Sequence, residues 1–219
     1  MTDRRSTRER ILDASRTLFN QKGYKGTTLA EIARTVGIAP GNLTYHFPTK
    51  RDLARELERG VRRSVREQRE RPSSGSVADQ YVDYVLFAMN HTWENRFLLR
   101  DHAQLADDAP TGRPDPDMVA DLDLLEGALR RMKKEGAFRR DVPLDLEVLA
   151  RSLWIVSRFW MDHLREVEGL EQVGWADQER GVLHHFALLR PHLTAASRRA
   201  FEHAILRASA RRALEETAA

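Results

Sequence analysis

The residues best suited to recognition chemistry lie between positions 40 and 50, where short polar side chains surround one apolar leucine in the stretch PGNLTYHFPTK. An asparagine amide can pair bidentately with adenine, and a threonine methyl can contact the thymine methyl. Hydroxyl, imidazole and ammonium groups can bind phosphate oxygens. These are the contacts of a protein that reads nucleic acid. The candidate DNA-binding residues are Thr28, Pro40, Gly41, Asn42, Thr44, Tyr45, His46 and Lys50.

The candidates divide by chemistry. The side chains of Asn42 and Thr44 are predicted to reach base edges, together with the backbone at the start of their helix. Tyr45, His46 and Lys50 are predicted to bind phosphate oxygens, which fixes the docking without reading the sequence. The alternative for each single residue is a solvated surface position.

The elements that must position these residues are two short helices joined by a tight turn. Thr28 and Glu31 have the spacing of a capping box at the start of the first helix, whose first amides can meet a phosphate. Gly37 follows Ala33 by four residues, where a turn between crossing helices needs a positive φ. Pro40 suits the first position of the second helix. The spacing predicts a helix-turn-helix whose second helix enters the major groove. A helical hairpin without DNA-binding function is the alternative.

The combination of Tyr45, His46 and Phe47 with the helix start Thr49-Lys50-x-x-Leu53 resembles the TetR/AcrR family of bacterial transcriptional regulators. The resemblance covers residues 7–55 in detail. It implies an all-α fold, with an N-terminal three-helix helix-turn-helix head and a larger C-terminal helical ligand-binding and dimerisation domain. It also implies a ligand-responsive repressor that binds a palindromic operator as a homodimer.

Two positions depart from the family pattern. Ala39 stands where members have Ser or Thr, so the recognition helix lacks a side-chain N-cap, at a cost of about 1 kcal/mol. Thr44 stands where members often have an aromatic residue. The second departure affects base reading more than docking.

Charge and composition favour the same class of protein. Residues 1–71 carry 17 basic and 9 acidic side chains, whereas the remainder carries 19 and 24, so a basic head precedes an acidic module. The absence of cysteine excludes disulfides and zinc thiolates. No phosphate-binding glycine loop or nucleophile elbow occurs, so the chain is predicted not to be an enzyme, with no cofactor and no metal site. Without a signal peptide or a spanning apolar run, it is expected in the bacterial cytoplasm, on the nucleoid when bound to DNA.

Apolar residues recur at three- and four-residue spacings throughout, which predicts helices over 7–21, 144–168 and 176–189 and a final helix from Thr194 to about residue 215. The proline, glycine and serine of RPSSGS (71–76) indicate a break. The predicted domains are a helix-turn-helix head (1–49), a connecting helix (50–70) and a C-terminal effector-binding and dimerisation domain (71–219).

Two functions compete for the apolar surface of the C-terminal domain. A pocket for a small apolar or aromatic effector could be lined by Trp93, Phe97, His102, Leu125, Met132, Trp154, Phe159 and His163. A homodimer interface could be formed by Leu149, Leu153, Val156, Trp160, Leu183, Phe186 and Leu189. Ordinary core packing is the alternative for both sets. A DNA-binding regulator whose C-terminal domain only dimerises or binds a protein partner is the alternative function.

Overall fold

The computed structural model describes residues 5–71, 75–101 and 116–218, and these residues are almost entirely helical. The all-α prediction is confirmed, since the only β pairing in the described ranges is an isolated bridge between Phe138 and Leu193. No helix in these ranges has the length and hydropathy needed to cross a membrane. In chain order the helices are α1 (Thr7–Gly26), α2 (Leu29–Val36), α3 (Pro40–His46), α4 (Lys50–Glu70), α5 (Val77–Glu94), α6 (Phe97–Arg100), α7 (Pro116–Lys134), α8 (Leu146–Glu166), α9 (Trp175–Leu189) and α10 (Ala195–Ala218).

The chain packs as two compact units. The head unit contains the described residues 5–71 and 94–101, and the C-terminal unit contains 75–93 and 116–218. A domain boundary at residue 71 alone therefore does not describe the head, because residues 94–101 pack with it.

Residues 94–101 are bonded to α1 at both ends of the segment. The Asn20 amide donates to the backbone carbonyl of Glu94 at 2.7 Å. The backbone N–H of Tyr24 donates to the Asp101 carboxylate at 2.8 Å. Tyr24 directly follows Gly23, whose φ of 84° interrupts α1 beyond its predicted end at residue 21. We call residues 94–101 the anchor segment.

Phe97 is the apolar centre of the anchor segment. Its ring is fully buried, with its centroid 5.3 Å from that of Phe19, and its backbone N–H donates to the Asn20 side chain at 3.1 Å. The prediction that Phe97 lines a ligand pocket is therefore wrong, because the side chain completes the core of the head unit.

The C-terminal unit has one core, to which α5, α7, α8, α9 and α10 all contribute. Helices α8 and α9 pack side by side, and Gly181 of α9 lies where the packing leaves no room for a side chain. A Cβ atom at Gly181 would lie 2.6 Å from the Met89 sulfur and 2.7 Å from the Trp160 ring. The Trp160 indole N–H donates to the backbone carbonyl of Asp177 at 3.0 Å, which holds the ring in this position.

We expect Gly181→Ala to destabilise the C-terminal unit by about 1–3 kcal/mol, because overpacking a filled core outweighs the helix propensity that alanine adds. Gly127 of α7 is the matched control, since a Cβ there would meet nothing within 4 Å. Gly127→Ala should leave stability unchanged or raise it by up to about 1 kcal/mol. Chemical denaturation of both variants measures the difference, and equal effects would contradict the assigned close approach.

Candidate nucleic-acid interface and ligand cavity

The start of helix α3 is fixed by a proline, and its orientation in the head is fixed by one buried face. It begins after Ala39, which makes no side-chain cap, and Pro40 occupies its first turn, as the sequence predicts. Leu43 within the helix and Phe47 at its C-cap are both buried in the head core. The opposite face is therefore left to solvent.

The exposed face of α3 carries the predicted base readers and one large aromatic ring. Tyr45 is 85% exposed, and its ring meets His46 edge-on with centroids 5.4 Å apart. Asn42 is exposed and makes no side-chain hydrogen bond to the part of the chain that the structure describes. The Thr44 hydroxyl is 3.2 Å from the backbone carbonyl of Gly41, so it bonds within its own helix and its methyl group remains for an apolar contact. The structure thus brings these candidates together on one surface; that they contact DNA stays a prediction.

Helix α2 and its turn hold α3 in place. Gly37 has φ 74° and ψ 38°, the left-handed conformation that the spacing predicts. Thr28 caps α2 by accepting from the Glu31 backbone N–H at 3.2 Å. The reciprocal half of the predicted capping box is missing, because the Glu31 carboxylate pairs with Lys22 instead. That hydrogen bond also lowers the pKa of Glu31.

Lys50 is used inside the head. Its ammonium donates to the backbone carbonyls of Tyr24 at 2.7 Å and Thr27 at 2.8 Å, and lies 4.4 Å from the centre of the Tyr24 ring. Partial burial lowers its pKa. These two hydrogen bonds tie the start of α4 to the end of α1 and leave one N–H of the ammonium for another acceptor, so the phosphate contact stays a prediction.

Most of the predicted dimer residues belong to the core of their own unit. These side chains expose less than a tenth of their surface, too little to form the main contact with a second chain, which corrects the predicted interface. Val156 is half-buried, and only Leu183 is exposed. The buried members of the set are Leu149, Leu153, Trp160, Phe186 and Leu189.

The same two helices nevertheless expose apolar side chains elsewhere. Val148, Ile155 and Phe159 of α8 are separated by seven and four residues, which places them on one side of the helix. With Leu183 of α9 they expose between 49% and 60% of their surface, and we call these four residues the apolar face. Phe159, predicted to line a pocket, therefore lies on this exposed face.

A cavity of about 80 Å³ lies within the C-terminal unit. Leu125 and Trp154, two of the predicted pocket residues, line it, and that an effector binds there stays a prediction. The lining residues are Tyr84, Val85, Ala88, Thr92, Asp121, Leu125, Trp154, Ser157, Arg158 and His185.

The other predicted pocket residues do not line this cavity. Met132 is buried in the core, and Trp93 packs against it as a half-buried side chain. His163 is exposed and lies 3.2 Å from the Glu168 carboxylate. His102 lies outside the described residues.

A buried series of hydrogen bonds, which the sequence pattern does not predict, borders the cavity. The Tyr81 hydroxyl lies 3.0 Å from His185 Nδ1, and the Ser157 hydroxyl lies 2.8 Å from His185 Nε2. Burial lowers the pKa of His185 to about 4 and raises that of Tyr81. Both groups are therefore neutral near pH 7. The adjacent pair His184-His185 gave no sign of this, because only the fold decides which of the two is buried.

The depressed pKa of His185 predicts an acid-sensitive C-terminal unit. In the unfolded chain this imidazole is protonated below the ordinary histidine pKa of 6.5, whereas in the folded chain it stays neutral until the pH falls to about 4. The contribution of His185 to the free energy of unfolding is therefore fully present above pH 6.5. It falls as the pH drops, by about 2 kcal/mol between pH 7 and pH 5. Denaturation at both pH values measures the loss. His185→Gln should flatten this dependence and His203→Gln, at an exposed position, should not; the reverse pattern would contradict the assignment.

The three-helix head, in which a left-handed glycine turn presents an exposed polar helix, defines a helix-turn-helix DNA-binding protein. Comparison with known sequences identifies the family of DNA-binding proteins to which the chain belongs. Residues 11–57 match the profile described as "Bacterial regulatory proteins, tetR family", and residues 58–201 match the profile described as "Bacterial transcriptional repressor" of the same family. The chain therefore belongs to the TetR family of bacterial transcriptional regulators, which are not enzymes.

Individual relatives agree with this assignment. The negative transcriptional regulator IcaR of the icaADBC biofilm operon of Staphylococcus aureus is 46% identical over 46 residues, which are 21% of this chain and 25% of IcaR. The probable transcriptional regulator YttP of Bacillus subtilis is 28% identical over 104 residues, which are 44% of this chain and 50% of YttP. The matches thus span a quarter to a half of these relatives' lengths. A TetR-family regulator structure from Marinobacter aquaeolei VT8 superposes with a TM-score of 0.74 at 25% identity, covering 93% of this chain and 98% of that one.

Proposed function

We propose that the protein is a ligand-responsive repressor that binds a palindromic operator as a homodimer. The observation that carries the proposal is the exposed polar face of α3, on which Asn42, Thr44 and Tyr45 share one surface. One such helix reads only a few base pairs, so useful specificity requires two heads on one duplex. A protein with this role acts in the bacterial cytoplasm, on the chromosome.

The apolar face supports the homodimer. Half-exposed apolar side chains at Ile155, Phe159 and Leu183 are costly to leave in water, and grouped apolar residues of this kind mark protein interfaces. A two-fold axis through α8 and α9 would bury each patch against its copy and form a four-helix bundle.

The cavity supports an effector site in the C-terminal unit. Its lining combines aliphatic side chains and an aromatic ring with hydroxyl, imidazole and charged groups that can orient a ligand, as small-molecule sites do. Its present volume of about 80 Å³ favours the second candidate, a regulator whose C-terminal unit only dimerises or binds a protein, because established sites are larger, at about 300–1,000 Å³. An effector that releases the protein from DNA separates the two candidates.

Selection of bound fragments from random duplex DNA with the full chain tests the operator proposal. We expect a two-fold symmetric consensus and an affinity that falls steeply with salt, since phosphate contacts release counterions. Enrichment of a single half-site, or of no sequence, would contradict the proposal.

Variants of α3 should separate docking from reading. Tyr45→Ala should weaken binding to all sequences by about 10-fold, whereas Asn42→Ala should relax the preference at one position of each half-site, a loss of about 1–3 kcal/mol of discrimination there. Repeating the selection with each variant gives both results. An unchanged consensus with Asn42→Ala would show that this side chain does not read a base.

A further inference from the structure

We infer that the cavity of the C-terminal unit binds an uncharged, mainly apolar molecule that offers a carbonyl-type oxygen to the Ser157 hydroxyl. The inference deepens the proposed function, because it rests on this cavity being the effector site. It follows from the direction of the buried hydrogen bonds, the charges of the lining and the shape of the apolar walls.

Donor and acceptor roles in the buried hydrogen bonds of Tyr81, His185 and Ser157 can be assigned. Within the part of the chain that the structure describes, the Tyr81 hydroxyl has a single hydrogen-bond partner, His185 Nδ1, at 3.0 Å. A buried hydroxyl proton without an acceptor is costly, so Tyr81 donates and Nδ1 accepts. A neutral imidazole carries a single N–H, so with Nδ1 accepting, its proton is on Nε2.

The orientation of the imidazole fixes the role of Ser157. Because Nε2 carries the proton, the Ser157 oxygen accepts from it at 2.8 Å. The Ser157 hydroxyl proton then has no acceptor among the described residues, and the side chain lines the cavity. The Ser157 hydroxyl is therefore an oriented donor that a ligand acceptor can satisfy.

The charges of the lining favour an uncharged ligand. Arg158 and Asp121 both line the cavity and carry opposite formal charges that sum to zero, and Asp121 accepts a hydrogen bond from Tyr84 at 3.1 Å. His185 is neutral. A ligand carboxylate would add a negative charge beside Asp121, and an ammonium group would add a positive charge beside Arg158; an unbalanced charge in a partly buried site is unfavourable.

Apart from Thr92, the remaining lining residues are apolar, and the walls limit the size of the ligand. Val85, Ala88, Leu125 and the Trp154 ring surround a volume of about 80 Å³. Since a cavity of about 150 Å³ is known to hold benzene, a ring-sized ligand must widen this one. Such a ligand binds an expanded state of the unit better than the state described here, which is the differential affinity that regulation requires.

Three probes of the same shape and number of non-hydrogen atoms test the inference with the full chain: acetophenone, cumene and benzoate. Affinities are measured by calorimetry for the unaltered protein, for Ser157→Ala and for the control Ser152→Ala. Ser152 is on the same helix but bonds the Val148 carbonyl at 2.9 Å and does not line the cavity.

We expect acetophenone to bind at least 10-fold more tightly than benzoate. Ser157→Ala should weaken acetophenone by about 3- to 10-fold, the value of one hydrogen bond, and leave cumene within 2-fold. Ser152→Ala should change neither. Tighter binding of benzoate, an acetophenone affinity that does not depend on Ser157, or no binding of any probe would each overturn the inference.

Binding of the selected operator, measured without probe, keeps this test separate from the proposed function. Operator binding without the expected probe pattern refutes the ligand class alone. The expected probe pattern without any sequence-specific DNA binding refutes the proposed function and leaves the ligand class standing.

Discussion

Ile155→Arg combined with Leu183→Arg is expected to convert the protein into monomers. Both side chains are about half exposed within one chain, so arginine can reach water there and the fold should persist. In a two-fold interface the four introduced cations would face one another without partners. Sedimentation should give the mass of one chain, 25.2 kDa. Operator affinity should fall by about 100-fold or more, because the second head no longer binds intramolecularly.

Leu206→Arg is the matched control for the interface. Leu206 of α10 is 65% exposed but lies outside the apolar face. This variant should remain dimeric with unchanged operator affinity. If the double variant stays dimeric, or if Leu206→Arg alone gives monomers, the interface is on another surface.

Phe97→Ala is expected to have the largest effect on the head unit. Removing a fully buried ring that packs on Phe19 should cost about 3–5 kcal/mol. The isolated head core is small, so this loss should unfold it and abolish DNA binding. Hydrogen exchange along α1 measures the loss of the head, while exchange in α8 reports whether the C-terminal unit remains folded.

Phe97→Leu distinguishes packing from the backbone bonds of the anchor segment. Leucine keeps most of the apolar volume, so we expect a smaller loss, about 1–2 kcal/mol, and retained DNA binding. If Phe97→Ala leaves exchange in α1 unchanged, the anchor segment does not support the head.

The recognition helix could be predicted from the sequence because its signals are local. The spacing from Ala33 to Gly37, the proline at position 40 and the polar residues after it each restrict the backbone within a few residues. The failed half of the capping box at Glu31 shows the limit of such rules. Lys22, nine residues earlier, competes for the same carboxylate, and only the packed head brings the two side chains together.

The anchor segment and the apolar face could not be predicted in this way. Phe97 contacts a residue 78 positions earlier in the chain, and no periodicity in its own short helix indicates that partner. Helix α8 carries apolar residues on two faces, and the pattern alone does not say which face packs inside. The inward residues Leu149 and Leu153 have the same helical spacing as the outward ones, so the sequence pattern alone predicts them equally well for the interface.

The anchor segment limits how reading heads can be exchanged between regulators of this kind. A transplant of residues 1–71 onto a foreign effector module would leave behind Phe97 and the Asp101 carboxylate that bonds the Tyr24 amide. Such a chimera would carry an intact recognition helix on an incomplete core. A working hybrid sensor must therefore receive two separate stretches from the donor regulator. One is residues 1–71, and the other is the anchor segment, residues 94–101.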